Sequence, residues 1–196
     1  MFQKIHDISQ EFFTARVYPG DTAPRHRPVA ATSAGDVCNV AAIEMNDHNG
    51  THIDAPWHFL DGGKKIDEIA LEKCVGPAVV ISIDGDVTEN DIDAIFQGNG
   101  ENPAFARILF KGDASLGIDA ARRLNHYGVK LVGCESQSVA PVSAPAPVHI
   151  ELLGHEVVIL EGLSLDGVAD GEYFLCAAPL PFGGLSGAPC RALLLE

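Results

Sequence analysis

The sequence predicts an α/β fold, a single domain over residues 1–196 with a mixed β-sheet and flanking helices. Short apolar runs alternate irregularly with a small number of helical stretches, which favours a mixed sheet over the regular alternation of a TIM barrel or Rossmann fold. A chain of 196 residues fits one domain, and its 46% hydrophobic content can form a substantial core. Nucleotide-binding glycine motifs and the GxSxG motif of serine hydrolases do not occur in the sequence.

The strands are predicted from apolar runs that are rich in β-branched residues, such as Val79-Val80-Ile81. Pro77 marks the start of that run, where a strand tolerates proline. The predicted strands cover residues 37–45, 75–83, 106–111, 129–134, 157–160, 173–178 and 191–196.

Capping residues and apolar spacing predict the helices. Thr88 is an N-cap residue for a helix that ends near Gln97, and acidic residues follow it in the first turn. Residues 117–127 form an amphipathic helix that ends at Gly128. A short helix is predicted over residues 149–153, with Gly154 as its end.

Composition limits the function classes. The net charge is −14, from 27 acidic and 13 basic residues, and this charge argues against partners such as nucleic acid or an anionic membrane surface. No apolar run reaches the length of about 18 residues that a membrane span needs. The N-terminus lacks a signal-peptide pattern. Five cysteines without a CxxC pair are interpreted as reduced, mostly buried thiols of a cytoplasmic protein.

Residues 48–58 carry the strongest functional signal, because four groups that bind metals or transfer protons fall in this one segment: His48, His52, Asp54 and His58. Their spacings are all even, so an extended chain would place the four side chains on one side. Gly50 permits a tight bend, and Pro56 favours an extended residue before it. Imidazole and carboxylate groups suit zinc or manganese. The segment can supply three ligands and keep one histidine for proton transfer.

The remaining ligands are less certain from the residues alone. His149 follows a proline-rich loop, and Glu161 ends an apolar strand, where a carboxylate can project into a cleft. His126 is interpreted as structural, since a cation suits the last turn of a helix, and His26 lies between two arginines. Spacing does not decide whether His149 and Glu161 are ligands.

The run His48-x-Gly50-Thr51-His52-x-Asp54-x-Pro56-x-His58 resembles the HxGTHxDxPxH signature of the cyclase family of metal-dependent hydrolases. That family includes bacterial kynurenine formamidases and isatin hydrolases. The resemblance continues in residues 17–21, 149–153, 158–163, 178–181 and 187–192, so that it extends over most of the chain.

The resemblance implies a role for each of the matching ligand positions. His48, His52 and Asp54 would bind metal from the first segment, and His149 and Glu161 from the second. Asp54 and Glu161 would be able to bridge two metals. Five protein ligands exceed what one tetrahedral zinc with an open position can use, so the site would hold two metals or one of higher coordination number. The choice between zinc and manganese stays open, as does that between one and two metals per subunit.

The resemblance also implies the chemistry and the fold. His58 would transfer protons, and Tyr18 would contact the substrate. The fold would be a swivelling β/β/α domain with a barrel-like core, usually a homodimer. The expected reaction uses metal-activated water to cleave an amide bond of a small-molecule substrate, first of all the formamide of N-formyl-L-kynurenine in tryptophan catabolism.

Departures from the family pattern keep a second substrate open. Tyr18 stands where the formamidases typically have tryptophan, and residues 133–140 differ from the usual Gly-Ile-Asp-Thr-Pro-Ser-Val-Asp. These positions border the substrate pocket in the family, so a cyclic amide or lactone such as isatin is the alternative. A non-catalytic metal-binding protein is less consistent with the sequence, because His58 and all five ligand positions are present. Cys134 is given no role.

Overall fold

The computed structural model describes residues 2–196 of the chain. Its strands are β1 (Ile5–Asp7), β2 (Arg25–Ala30), β3 (Val40–Glu44), β4 (His52–Asp54), β5 (Val75–Ser82), β6 (Gly85–Val87), β7 (Arg107–Lys111), β8 (Ala114–Leu116), β9 (Leu131–Cys134), β10 (Val158–Glu161), β11 (Gly171–Cys176), β12 (Gly187–Pro189) and β13 (Leu193–Leu195). Its α-helices are α1 (Leu71–Cys74), α2 (Glu89–Phe96), α3 (Ile118–His126) and α4 (Ala146–Gly154).

A nine-stranded mixed sheet organises the molecule, as the sequence predicts. The strand order is β1-β13-β11-β5-β7-β9-β10-β4-β12, and the sheet curls into a half-barrel. The central strands β5, β7, β9 and β10 run parallel to one another, whereas the pairings of β11, β13 and β1 on one side and of β4 and β12 on the other are antiparallel. The candidate ligand residues lie at the β10–β4–β12 end.

Both faces of the central strands are buried, which explains why these strands are continuous apolar runs in the sequence. Along β7, Ile108 and Phe110 pack in one hydrophobic cluster with α2, α3 and α4. Leu109, between them, points into a second cluster on the opposite face, together with Ile53 of β4 and Leu160 of β10. Strand β4 is therefore anchored by Ile53 in the second cluster.

The predicted helices are confirmed, with one change of boundary. Thr88 caps α2 by accepting a hydrogen bond from the Asp91 amide, and Gly128 follows α3 in a left-handed conformation (φ +73°). Helix α4 begins at Ala146, three residues before the predicted start, because Pro147 in its first turn fits a helix N-terminus.

The long predicted strands are confirmed within a few residues, except that the strand predicted over 37–45 begins at Val40, since Val37 is fully exposed. The sequence analysis did not predict the strands β1, β2, β6, β8 and β12, nor β4 as a separate element. All of these except β2 are three residues long, too short for a periodic pattern. Strand β2 pairs only with β3, in a separate two-stranded ribbon whose residues are mostly exposed.

Over residues 2–196, no helix combines the length and the apolarity that crossing a membrane requires. All five cysteines are free thiols. The expectation of mostly buried thiols is right for Cys74 and Cys134, but Cys176 and Cys190 are half-buried, and Cys38 is exposed because it lies in the loop before β3.

Candidate metal centre

Strand β4 places two of the candidate ligands side by side. It pairs antiparallel with β10 and β12, so that His52 lies opposite Glu161 on one side and opposite Pro189 on the other. His52 and Asp54 are two residues apart and point to the same side of the strand, as their even spacing predicts. The two side chains and Glu161 are all buried.

A turn, and not an extended segment, brings His48 to this site. The prediction that all four side chains share one side of an extended chain is wrong for His48 and His58, because only residues 52–54 form a strand. Gly50 makes the bend with a φ of +65°, and an added Cβ there would lie 3.1 Å from the Phe12 ring. Thr51 fixes the end of the turn by donating a hydrogen bond to the Gly162 carbonyl.

His58 reaches the same place from a 3-10 helix over Pro56–His58. Ala55 is extended, as the proline after it predicts, and the helix turns the chain back toward the site. The His58 ring stacks on the His48 ring, with centroids 3.8 Å apart and an angle of 26° between the planes.

Helix α4 contributes His149 from its first turn. Nδ1 of His149 donates to the Pro145 carbonyl at 2.9 Å, and Nε2 lies 3.2 Å from Glu161 Oε1 and 3.8 Å from Asp54 Oδ2. His52 is held in the same manner, since its Nδ1 donates to the Gly50 carbonyl at 2.8 Å. Hydrogen bonds of this kind leave the Nε2 lone pair of each ring for the centre of the site.

Asp54 lies at the middle of the cluster. Its Oδ1 is 2.8 Å from His48 Nδ1 and 3.3 Å from His52 Nε2. Its Oδ2 is buried and has no hydrogen-bond partner among residues 2–196. Two sets of donor atoms, each within 4.8 Å of one another, share this carboxylate: His48, Asp54 and His58 in one, and His52, Asp54 and Glu161 in the other. A buried carboxylate oxygen without a partner, among imidazole nitrogens, fits a divalent cation of the zinc or manganese type.

The two carboxylates of the cluster are held in their charged form. Burial would raise the pKa of Asp54, but the neighbouring charge of His48 and hydrogen bonds from His48 and His52 bring that pKa well below its usual range. Burial and the charge of Asp54 would also raise the pKa of Glu161, yet hydrogen bonds from His149 and His52 lower it.

The imidazoles respond in different directions. Burial alone would lower the pKa of His52, but hydrogen bonds to Asp54 and Glu161 raise it to about 10. The pKa of His149 is likewise raised by its hydrogen bond to Glu161, against the effect of burial. His58 has no such bond, and burial lowers its pKa. The metal-free cluster thus retains protons between its carboxylates and imidazoles, where a metal ion would replace them.

The cluster forms the floor of a cavity of about 460 Å³. Tyr18 and Phe59 supply aromatic walls, and Phe59 also packs on the His149 ring with centroids 4.6 Å apart. Gln137 and Ser138 line the cavity from the segment in which the sequence departs from the family pattern. Among residues 2–196, the cavity lining contains carboxylates at Asp21, Asp47 and Glu161 but no lysine or arginine.

The structure therefore brings together all seven residues that the sequence analysis selected: Tyr18, His48, His52, Asp54, His58, His149 and Glu161. His26 and His126 are outside the cavity. Asp47, Phe59 and Ser186 also line it, and the sequence analysis did not select them. Asp47 and Phe59 adjoin selected histidines, which is a local signal, but Ser186 is 138 residues from His48 and has none.

Comparison with known proteins gives the relationship. The family model described as "Putative cyclase" matches residues 6–141. A kynurenine formamidase of Geobacillus thermodenitrificans is 36% identical over 203 residues, which cover 96% of this chain and 95% of that protein. The chain belongs to the cyclase family.

Two solved structures have the same fold over nearly the whole length of this chain. A structure described as a "predicted metal-dependent hydrolase" from Bacillus stearothermophilus is 28% identical, with a TM-score of 0.82 and 98% of both chains covered. Isatin hydrolase A from Ralstonia solanacearum is 25% identical, with a TM-score of 0.83, and the match covers 98% of this chain and 91% of that one. The α/β fold with a curled mixed sheet is thus that of the cyclase family, and the family resemblance in the sequence is confirmed.

Proposed function

We propose that this cyclase-family protein is a metal-dependent amidohydrolase that cleaves the formamide bond of N-formyl-L-kynurenine. The observation that carries the proposal is the position of Asp54, a buried carboxylate with a free oxygen, between imidazoles that line a cavity with aromatic walls. The 36% identity to a kynurenine formamidase over 96% of the chain supports the choice of substrate.

The residues that would hold the metal are His48, His52, Asp54, His149 and Glu161. Asp54 belongs to both sets of donor atoms, which supports a shared role for it if two ions bind per subunit. When bound, a divalent metal supplies a nucleophile from water at neutral pH, because it lowers the pKa of that water from about 15.7 to about 7. Zinc and manganese both suit this mixture of nitrogen and oxygen donors.

His58 is assigned to proton transfer. Its ring stacks on His48 at the edge of the cluster, and neither of its nitrogens is held by a hydrogen bond to a described residue. An imidazole that is free at both nitrogens can take a proton from the attacking water and release it to the departing amine, which is a poor leaving group when unprotonated. His58 also lies within one set of metal donors, so metal content distinguishes the two roles.

The aromatic walls fit an aryl substrate. Tyr18 and Phe59 face the same cavity as the ligands, and flat apolar surfaces of this kind bind aromatic rings. The anthranilic ring of N-formyl-L-kynurenine and the fused ring of isatin would both use these walls. Isatin is the second candidate because positions that differ from the formamidase pattern line the cavity. These are Tyr18 and Gln137, and Ser138 lies beside Gln137.

The test is hydrolysis of both compounds by protein that has been stripped with a chelator and then refilled separately with zinc and with manganese. Metal-restored cleavage of N-formyl-L-kynurenine is the expected result, and the more active ion is the cofactor. Cleavage of isatin alone would identify the protein as a hydrolase of cyclic amides. Binding of metal without either activity would overturn both substrates while retaining the metal site.

We further propose that the protein is a cytoplasmic homodimer. Free thiols support a reducing compartment.

The β2–β3 ribbon is the surface proposed for the dimer. It exposes Val29, Val40 and Ile43, and its Arg25 and Arg27 have the opposite sign to the chain's net charge of −14, so a second copy is a suitable partner. Light scattering should give twice the chain mass of 20.7 kDa, and Ile43→Asp should give the monomer. A monomeric unsubstituted protein would contradict the proposal.

A further inference from the structure

Ser186 and Asp47 lie beside the metal cluster, and the Ser186 hydroxyl connects Asp47 to the imidazole of His48. The Ser186 hydroxyl lies 2.9 Å from Asp47 Oδ2 and 2.8 Å from His48 Nε2. The opposite ring nitrogen, Nδ1, faces Asp54 Oδ1 at 2.8 Å. The three side chains form one chain of hydrogen bonds that ends at the centre of the site.

The direction of these hydrogen bonds follows from counting protons. An ionised carboxylate only accepts, so the single hydroxyl proton of Ser186 is donated to Asp47. Ser186 Oγ must then accept from His48, and Nε2 therefore carries a proton. The opposite ring nitrogen, Nδ1, donates its proton to Asp54 Oδ1 in the metal-free cluster, and a metal ion would replace that proton.

We propose that Ser186 and Asp47 are positioning residues that hold His48 as its Nε2–H tautomer, with Nδ1 available to a metal ion. The inference rests on the metal-dependent function proposed above. It assigns a role to two residues that belong to neither set of metal donor atoms, and to the segment before β12, which comes from the far end of the chain.

The proposed role is separable from a purely structural one. The Ser186 amide also donates to Asp47 Oδ2 at 3.2 Å, and the Ser186 carbonyl accepts from the Ala55 amide at 2.9 Å. Both of these bonds use main-chain atoms of Ser186, so they survive Ser186→Ala. That substitution removes only the hydroxyl that orients His48.

The experiment compares Ser186→Ala with Ser186→Thr, which retains a hydroxyl, and with Ser115→Ala as the control. Ser115 has a buried hydroxyl without a hydrogen-bond partner among residues 2–196, so its loss should change neither folding nor metal binding. Zinc affinity is measured by competition with a chromophoric chelator. We expect Ser186→Ala to weaken zinc binding 10- to 100-fold, as is usual for residues that orient a metal ligand, and Ser186→Thr to remain near the unsubstituted protein.

A second readout follows the proton itself. Long-range ¹H–¹⁵N spectra of the zinc-loaded protein distinguish a protonated Nε2 from a protonated Nδ1, and we expect Nε2–H for His48. Asp47→Asn should give a mixture, because an amide can donate to Ser186 and release its hydroxyl proton toward His48. Circular dichroism checks that each variant is folded.

Two results would overturn the proposal in different ways. Equal zinc affinity and an unchanged His48 spectrum in Ser186→Ala would remove the positioning role and leave the metallohydrolase function intact. Failure of the unsubstituted protein to bind zinc or manganese would overturn the proposed function itself, together with this inference.

Discussion

His48 and His58 stack face to face with ring centroids 3.8 Å apart, although one lies in a turn and the other in a 3-10 helix. This contact keeps His58 beside the cluster while His48 faces Asp54. The two histidines can therefore have different roles, one as a ligand and one in proton transfer, at nearly the same place.

Replacing His58 by alanine should separate these roles. We expect His58→Ala to retain its metal and to lose about 10²–10⁴ in kcat, the usual contribution of a general acid–base group. Metal content by atomic absorption and steady-state kinetics measure the two effects. His126→Ala, in the last turn of α3, is the matched control and should be fully active. A variant that loses metal in parallel with activity would identify His58 as a ligand.

Glu161 is expected to be required for metal occupancy. Its Oε1 also accepts from the Val139 amide at 2.7 Å, so Glu161→Ala leaves a buried N–H unsatisfied at a cost of about 1–3 kcal/mol. Glu161→Gln retains an acceptor for that amide but lacks the charge. We expect both variants to lose metal and only the alanine variant to lose thermal stability. Full metal content in Glu161→Gln would show that its charge is not needed.

Gly187 should be essential because the His48 ring lies directly against it. A Cβ at this position would be 2.5 Å from His48 Cε1 and 2.9 Å from each ring nitrogen. We expect Gly187→Ala to displace the ring and weaken zinc binding by at least 10-fold. Gly154→Ala is the control, since a Cβ there meets no atom within 4 Å, and it should stabilise the fold by about 0.4–1 kcal/mol. Equal zinc affinity in the two variants would contradict the geometry.

Thiol reactivity should depend on pH in a manner set by burial. Burial raises the pKa of Cys74 to about 11 and that of Cys190 to about 12, above the ordinary value of 9.0. The folded protein thus holds these protons more tightly than the unfolded chain, and the associated stability is lost as pH rises from about 9 through these values. At pH 8, iodoacetamide should modify exposed Cys38 first. Mass spectrometry that finds Cys74 labelled first in native protein would refute this order.

The sequence predicts the central sheet and the helices well because they are long enough for apolar periodicity and capping to be visible. Val79 and Leu109 lie in runs that are buried on both faces, and Thr88 has the acidic turn after it. Strands of three residues, such as β4 and β12, have no period of their own. Their existence depends on pairing with residues more than one hundred positions away.

The residues selected from the sequence lie together in the structure, but their geometry was not predictable from the sequence. His52 and Asp54 share a side because they are on a strand, as their spacing indicates. His48 was expected to reach the site along the same strand, but it reaches the site through a turn at Gly50. Ser186 could not have been found from local sequence, since only the fold brings its hydroxyl to His48.

Strand β12 is one of the two edge strands of the nine-stranded sheet, and Ser186 directly precedes it. An edge strand is paired on one side only and opens more readily than its neighbours. Opening of this edge would remove the hydrogen bond between Ser186 and His48 and weaken metal binding. Because such coupling is reciprocal, bound metal stabilises the closed edge by the same free energy. This strand near the end of the chain would therefore be coupled to the metal site, and amide hydrogen exchange in residues 187–189 should slow when zinc is added.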